Sequence, residues 1–168
     1  MGFKEINIED LNMNPFTKIG KEWMLITAGD EKAHNTMTAS WGGVGVLWRK
    51  NVVTTYIRPQ RYTKEFVDAN ELFTLTFFDE KYKDALSLLG TKSGRDCDKE
   101  SEAGLTPYYV EGTTAFEEAS MIMVCRKQYH QELLPECFDI KETDENCYPN
   151  KDYHTMYIGE IEKILVRE

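Results

Sequence analysis

The sequence predicts a mainly β protein: a closed or partly closed antiparallel barrel with short helices at its periphery. Three observations carry this. Runs that alternate apolar and polar residues, or are rich in β-branched and aromatic residues, recur between turn signals, and about six to eight such runs can be counted. Helical periodicity is confined to two short crossover segments, too few for a βαβ sheet. The Gly-x-Gly run, Gly43-Val44-Gly45, lacks the third glycine and the following helix of a dinucleotide fingerprint.

Residues 1–20 show no strong periodicity, only a helical turn at Ile8 to Leu11 and the breakers Asn14-Pro15, and read as a lead-in that packs on a neighbour or a partner subunit. Trp23 to Gly29 is the first strand, and Asp30 to Asn35 a polar connection. Thr36-Met37-Thr38-Ala39-Ser40 alternates hydroxyl and apolar side chains, as in a strand with one buried face and one row of hydroxyls. Gly42, Gly43 and Gly45 then interrupt a strand-like run, as at a bulge or where a planar ligand lies on bare backbone. A turn at Arg49-Lys50-Asn51 leads into the β-branched strand Val52 to Ile57, stopped by Pro59.

Tyr62 to Asn70 reads as a short amphipathic helix with Phe66, Val67 and Ala69 inward and Thr63 at the N-cap. Leu72 to Phe78 alternates as a strand. Glu80 to Leu89 is the second helix, with Tyr82, Ala85, Leu86 and Leu89 on one side and Gly90 closing it. Thr91 to Asp96 is a polar, glycine-containing loop expected to be functional. Ser101 to Thr106 makes a helical turn before Pro107, and Tyr108 to Val110 and Ala119 to Lys127 are strands, the latter apolar enough to be covered on both faces. A helical excursion around Gln131, an acidic loop from Cys137 to Lys151, and a long last strand from His154 to Val166 complete the chain.

At 168 residues the chain is expected to form one domain over 1–168, able to bury a core without metal or disulfide support. A net charge of −9 argues against nucleic acid or an anionic membrane as the main partner. With no signal segment or long apolar run, a cytoplasmic location is expected. Cys97, Cys125, Cys137 and Cys147 lack zinc spacing and read as reduced thiols, Cys125 in a core strand; no metal is expected. Cys97, between Arg95 and Lys99, is a candidate for a somewhat activated thiol.

The basic corner stands out against this acidity. Arg58, Arg61, Tyr62 and Thr63 gather where a strand ends and a helix begins, a phosphate site in outline, because guanidinium groups and free amides favour an anion. The same residues also suit a hairpin with a solvated basic corner. Redox chemistry is beyond ordinary side chains, so a barrel with such a corner best serves as a holder for a phosphorylated cofactor, and FMN fits the parts. Its phosphate would sit at Arg58, Arg61 and Thr63 and its ring along Thr36 to Trp41, with Trp41 near the ring and Trp48 as packing. His34 and His130 read as surface or turn residues without partners, and the scattered carboxylates as solvated faces.

Four ordered blocks, MTASWGGVGVLW, YIRPQRYT, GTKSGRD and HTMYIGEI, resemble the flavin reductase-like family, the FMN-binding split barrels, and most closely its flavoredoxin-type branch. The resemblance spans about Gly20 to Val166. It implies a six-stranded antiparallel split β-barrel with Greek-key order, a homodimer, and one FMN per subunit near the dimer interface. It places Asn35, Thr36, Met37, Thr38, Ala39, Ser40 and Trp41 along the flavin, and Arg58, Arg61, Tyr62 and Thr63 on the phosphate, with Lys92 and Ser93 closing over the tail. His154 becomes a candidate for catalysis or substrate orientation, although a lone histidine at a strand start also suits a structural role. The implied function is transfer of electrons from NADH or NADPH through FMN to a flavin or other acceptor. The alternatives are an FMN electron carrier reduced by a redox protein partner, and a split barrel that has lost FMN or holds haem or pyridoxal phosphate.

Overall fold

The structure, a computed structural model, describes residues 2–168; Met1, the first residue of the lead-in, lies outside them. Its strands are β1 (Phe3–Ile6), β2 (Met24–Gly29), β3 (His34–Ala39), β4 (Gly42–Leu47), β5 (Lys50–Ile57), β6 (Leu72–Phe77), β7 (Pro107–Val110), β8 (Thr113–Phe116), β9 (Met121–Glu132) and β10 (Thr155–Arg167). Its α-helices are α1 (Pro15–Lys18), α2 (Thr63–Ala69), α3 (Lys83–Thr91), α4 (Lys99–Ala103) and α5 (Lys141–Cys147). No described helix is long and apolar enough to cross a membrane.

The main sheet has eight strands, ordered β3-β2-β6-β9-β10-β5-β4, with β1 pairing the far end of β10. All of its pairs are antiparallel. Alternation decides the two faces. Met24 and Ile26 of β2, Met37 and Ala39 of β3, Val53 and Ile57 of β5, Phe73, Leu75 and Phe77 of β6, Met121, Met123 and Cys125 of β9, and Tyr157, Ile161 and Ile164 of β10 meet in one buried cluster. Six strands sharing one interior make the expected barrel, with β1 and β4 as additions. Each large apolar side chain so enclosed contributes roughly 1.5–3 kcal/mol. The residues between them, Leu25, Ile122 and Val124, face outward into a second cluster with Leu86 and Leu89 of α3 and Phe116 of β8. Strands covered on both faces need the unbroken apolar run seen at Met121 to Cys125.

The barrel is split between β3 and β4. These strands are separated only by Ser40-Trp41, yet they end the sheet path on opposite sides. Gly42 makes the break: at φ 153° a side chain there would meet the Thr54 carbonyl oxygen at 2.8 Å. The outer backbone edge of β3 is consequently unpaired.

Several elements differ from expectation. Gly42–Leu47 is a full strand paired with β5, because glycines there let β4 lie flat against Val52 to Thr55. The turn falls at Trp48-Arg49, both with positive φ (52° and 60°), which leaves Lys50 and Asn51 inside β5. Trp48 is half-exposed and touches Tyr129 by its edge, so it is less a packing residue than expected. Gln131 is not helical: β9 runs to Glu132 because β10 is long enough to pair it throughout, with register shifts at Gly159 and Lys163. The 137–151 segment holds α5, and β1 and β8 pair with β10 and β7. The lead-in packs on its own chain, with Ile6, Ile8, Leu11, Met13 and Ile19 on the barrel cluster, while Phe16 stays exposed.

Gly159 sits at one of the β10 shifts, where an added Cβ would lie 2.6 Å from Phe73 Cζ and 3.2 Å from Cys125 Cβ. Phe73 is fully buried and has nowhere to turn. Gly159→Ala should therefore lower stability by roughly 1–3 kcal/mol in urea unfolding; an unchanged midpoint would show that the ring yields without cost.

Candidate functional site

The C-terminal end of α3 gathers the site. A helix leaves its last carbonyls without partners, and here cations supply the donors. Arg61 NH1 donates to the Gly90 carbonyl at 3.0 Å, and Lys99 Nζ donates to the Leu89 and Lys92 carbonyls at 3.2 Å each. A guanidinium has five N–H donors and an ammonium three, so both groups retain free donors. Neither forms an ion pair among the described residues. Lys99 is 4 % exposed; burial and the neighbouring Arg61 charge lower its pKa to about 8, which Glu100 only partly offsets. Burial lowers Arg61 as well. Two adjacent cations removed from water without a carboxylate are costly, and a bound anion would relieve that cost.

Beside them is a cavity of about 180 Å³ lined by Asn35, Arg61, Tyr62, Thr63, Lys92, Ser93 and Lys99. Thr63 Oγ1 donates to Asn35 Oδ1 at 2.8 Å, which turns the amide nitrogen toward Gly94. A Cβ on Gly94 would lie 2.0 Å from that nitrogen, so the 91–96 loop closes here only as glycine. Arg95 covers the outer side: it lies 4.5 Å over the Tyr62 ring, donates to the Gln60 carbonyl at 3.3 Å, and pairs with Glu65. The expected residues Asn35, Arg61, Tyr62, Thr63, Lys92 and Ser93 are thus brought together.

Others are used differently. Arg58 turns away from the cavity. It pairs with Asp152 at 2.8 Å, donates to the Cys147 carbonyl at 3.0 Å and lies 5.0 Å over the Tyr148 ring, because the turn at Pro59 separates it from Arg61. Thr63 is the first helical residue rather than the N-cap, and the Lys64 and Glu65 amides bond back to the Arg61 and Tyr62 carbonyls. Those two amides are therefore not free for an anion. Two of the three hydroxyls in the row are consumed internally, while Ser40 borders the cavity described below: Thr36 meets Thr27 at 2.7 Å and Thr38 donates to the Leu86 carbonyl at 2.5 Å, and Met37 and Ala39 face the barrel. What β3 leaves open is its backbone edge. Lys92 extends to Glu102, and Ser93 Oγ accepts from the Arg95 amide at 3.2 Å.

Beyond β3, Ser40 and Trp41 border a second cavity of about 420 Å³ with Phe16 and Gly42 to Val44. Trp41 is half-exposed and lies 5.1 Å from His154, whose Nδ1 is 2.7 Å from the Tyr148 hydroxyl. Burial, then the Arg58 charge, hold the His154 pKa down at about 4, so the ring is neutral near pH 7.

Lys99 and His34 were not expected as site residues. Lys99 carries no signal in a polar stretch; only the folding of α4 against α3 buries it. His34 has two partners, Glu100 at 2.9 Å from Nε2 and the Asp30 carbonyl at 3.1 Å from Nδ1, and the Glu100 hydrogen bond raises its pKa despite burial. It ties the β2–β3 turn to the helix that carries Lys99. Cys97 is not activated: burial and the Glu102 carboxylate raise its pKa, against the smaller effect of Lys92. Cys125 is a buried core thiol as expected. His130 stacks on Tyr157 at 6.0 Å.

A family model described as "Flavin reductase like domain" matches residues 16–168. No curated protein matches the chain. Among solved structures, the fold is similar to an FMN-binding domain of a flavin reductases-like enzyme from Shewanella baltica, with a TM-score of 0.70 at 13 % identity over 98 % of this chain and 77 % of that one. Flavoredoxin of Desulfovibrio vulgaris (Miyazaki F) gives 0.68 at 21 % identity over 87 % and 69 %. Flavoredoxin from Methanosarcina acetivorans gives 0.68 at 19 % identity over 95 % and 76 %.

The cation pair makes anion binding depend on pH. Lys99 loses its charge as pH rises through about 8, and His34, raised above its ordinary value, loses its hold on Glu100 in the same direction. Affinity for inorganic phosphate, measured calorimetrically, should fall about threefold to tenfold as pH rises from about 7.5 to 9.5, the worth of one charge-assisted contact. Lys99→Gln should weaken binding at the lower pH and flatten the profile; an equally steep profile in that variant would remove Lys99 from the site.

Proposed function

Since this chain belongs to the flavin reductase-like family, we propose that it is an FMN-binding oxidoreductase that moves electrons from NADH or NADPH to a flavin or other acceptor. The observation that carries this is the cation pair Arg61 and Lys99, without an ion-pair partner beside a cavity also lined by Thr63, Asn35 and Ser93. These residues suit the phosphate of FMN. The unpaired edge of β3 leads from Asn35 toward Trp41 and offers backbone donors and acceptors for the ring. FMN would supply the hydride and one-electron chemistry that side chains cannot. Trp41 would cover the ring from water, and neutral His154 would offer a hydrogen bond without adding charge.

The second reading is an FMN electron carrier reduced by a redox protein partner; two of the structures of like fold are named flavoredoxin. Gly43-Val44-Gly45 lies within β4, paired to β5, and neither reading needs a glycine-rich turn, because a nicotinamide can stack on the flavin in the same cleft. The free thiols suit a reducing, cytoplasmic setting. We also propose a homodimer. Phe16 (85 % exposed), Val46 (75 %) and Trp41 lie on and beside the outer edge of β4, an apolar surface and unpaired strand that a second copy would cover.

An absorbance spectrum of the purified protein followed by anaerobic titration with NADH and NADPH separates the readings. Flavin absorbance that bleaches with a nicotinamide supports the oxidoreductase, flavin that does not bleach supports the carrier, and a colourless protein that takes up no FMN rejects both. Arg61→Ala should weaken FMN binding several-fold to a few hundred-fold, about 1–3 kcal/mol for a charge-assisted phosphate contact. Unchanged affinity would sink the phosphate assignment. Light scattering should give the mass of two chains; a monomer at micromolar concentration rejects the dimer.

A further inference from the structure

Between α5 and β10 the chain builds a buried aromatic cluster. Tyr148 and Tyr153 pack with centroids 4.8 Å apart against Phe138, and His154 lies at the edge, its ring 5.5 Å from Tyr148 and 5.1 Å from Trp41. Tyr148 is 6 % and His154 7 % exposed. The side-chain partner of the Tyr148 hydroxyl among the described residues is His154 Nδ1 at 2.7 Å, and the His154 backbone amide also lies against the phenol oxygen. A buried O–H needs an acceptor, and the lone pair on Nδ1 is the one in reach; the ring proton then resides on Nε2. Nε2 itself has no side-chain or backbone partner among the described residues and is not among their sealed, unpartnered polar atoms.

The surroundings keep the ring neutral. Arg58 lies over the Tyr148 face, anchored by Asp152 and the Cys147 carbonyl, and its charge opposes a second proton on the imidazole. Asp152 pulls the other way but is spent on Arg58 and on Gln60, at 2.9 Å. Of the carboxylates on the Tyr153 side, Asp144 of α5 accepts from the Tyr153 hydroxyl at 2.8 Å and Glu136 lies near the same phenol. His154 therefore differs in kind from His34, whose two nitrogens both face acceptors.

We propose that Tyr148 is a positioning residue that fixes His154 as its neutral Nε2–H tautomer, so that His154 donates a hydrogen bond to an uncharged, carbonyl-type oxygen bound beside Trp41. An anionic ligand would call for a protonated ring, which this site opposes. The placement of that oxygen rests on the FMN reading above; the tautomer does not. Two sources carry this chemistry: a ring carbonyl of the flavin and the oxygen of a quinone- or enone-like electron acceptor.

The test begins with long-range nitrogen–proton NMR of the histidines in labelled protein, with and without FMN. Wild-type His154 should show bare Nδ1 and protonated Nε2 throughout the neutral range, and Tyr148→Phe should populate both tautomers. Protonated Nδ1 in the wild type, or an unmoved tautomer in Tyr148→Phe, overturns the proposal. Should Tyr148→Phe not fold, the wild-type measurement decides the tautomer and His154→Gln decides the donor, since its amide restores an N–H near the Nε2 position. Loaded with FMN and reduced anaerobically with dithionite, His154→Ala should pass electrons to menadione about threefold to tenfold more slowly, the worth of a neutral hydrogen bond, and His154→Gln should recover most of the rate. Loss confined to menadione, with ferricyanide reduction unchanged, assigns the oxygen to the acceptor. Equal loss with both, together with weaker FMN binding, assigns it to the flavin. Glutamine no better than alanine in every assay overturns the donor role. Failure to bind FMN at all would overturn the cofactor reading, while the tautomer is still read in the free protein.

Discussion

An uncompensated pair of cations at the end of α3 is the constraint around which this end of the molecule is arranged. Arg61 arrives from the turn after β5 and Lys99 from the first turn of α4, and each caps carbonyls that α3 cannot satisfy by itself. Helix capping alone does not account for the pair. A cap is satisfied by one cation in contact with water, whereas Lys99 is buried beside a second positive charge and its pKa falls to about 8. Leaving both there without a carboxylate costs stability in the free protein, a cost that persists where function requires an anion. The surrounding loop obeys the same constraint. Gly94 admits the Asn35 amide, and Lys92 and Arg95 are tied to Glu102 and Glu65, so that Arg61 and Lys99 alone face the cavity with unpaired charge.

The open seam of the barrel carries the second half of the design. A barrel closed by pairing β3 to β4 would bury every backbone group, but Gly42 turns the chain so that β4 pairs only β5 and the edge of β3 stays free. A free edge is ordinarily a hazard for association. Here it runs between the cation pocket and Trp41, where a planar ligand can take up the unpaired amides and carbonyls. Because Thr36 and Thr38 spend their hydroxyls on Thr27 and on α3, what this stretch of β3 leaves unpaired is its backbone.

How much of this was legible in the sequence follows from the range of each signal. Local patterns located six strands: alternation for β3, β6 and part of β10, a β-branched run for β5, an unbroken apolar run for β9, and an apolar run between turn signals for β2. The Arg61-Tyr62-Thr63 corner and the 91–96 loop were legible for the same reason, and they do meet. Contacts between distant segments left no such trace. Arg58 looks equivalent to Arg61 in the linear chain, yet Asp152, 94 residues away, takes it elsewhere. Lys99 looks like one more solvated lysine until α4 folds against α3. Thr63 reads as a cap because Ser, Thr, Asp and Asn usually are, but Asn35 on another strand claims its hydroxyl. Gln131 reads as helical by propensity, and a β10 partner long enough to pair it overrides that.

His34 at the start of β3 and His154 beyond its far end show how one fold shifts two imidazoles in opposite directions. His34, with a carboxylate on one nitrogen and a carbonyl on the other, has its pKa raised; His154, with a phenol donor on one nitrogen and an arginine close by, is held neutral. Beside the cation pair, His34 engages Glu100, a carboxylate that would otherwise be free to compete for Lys99. At the Trp41 end, added positive charge would hold an anionic ligand, and the buried Arg58–Tyr148–His154 arrangement instead leaves a neutral donor. Net charge cannot produce this division in a chain of −9, because it reports an average. It arises from which acceptor or donor each imidazole nitrogen meets, and those partners are supplied by α4 on one side and by the segment around α5 on the other.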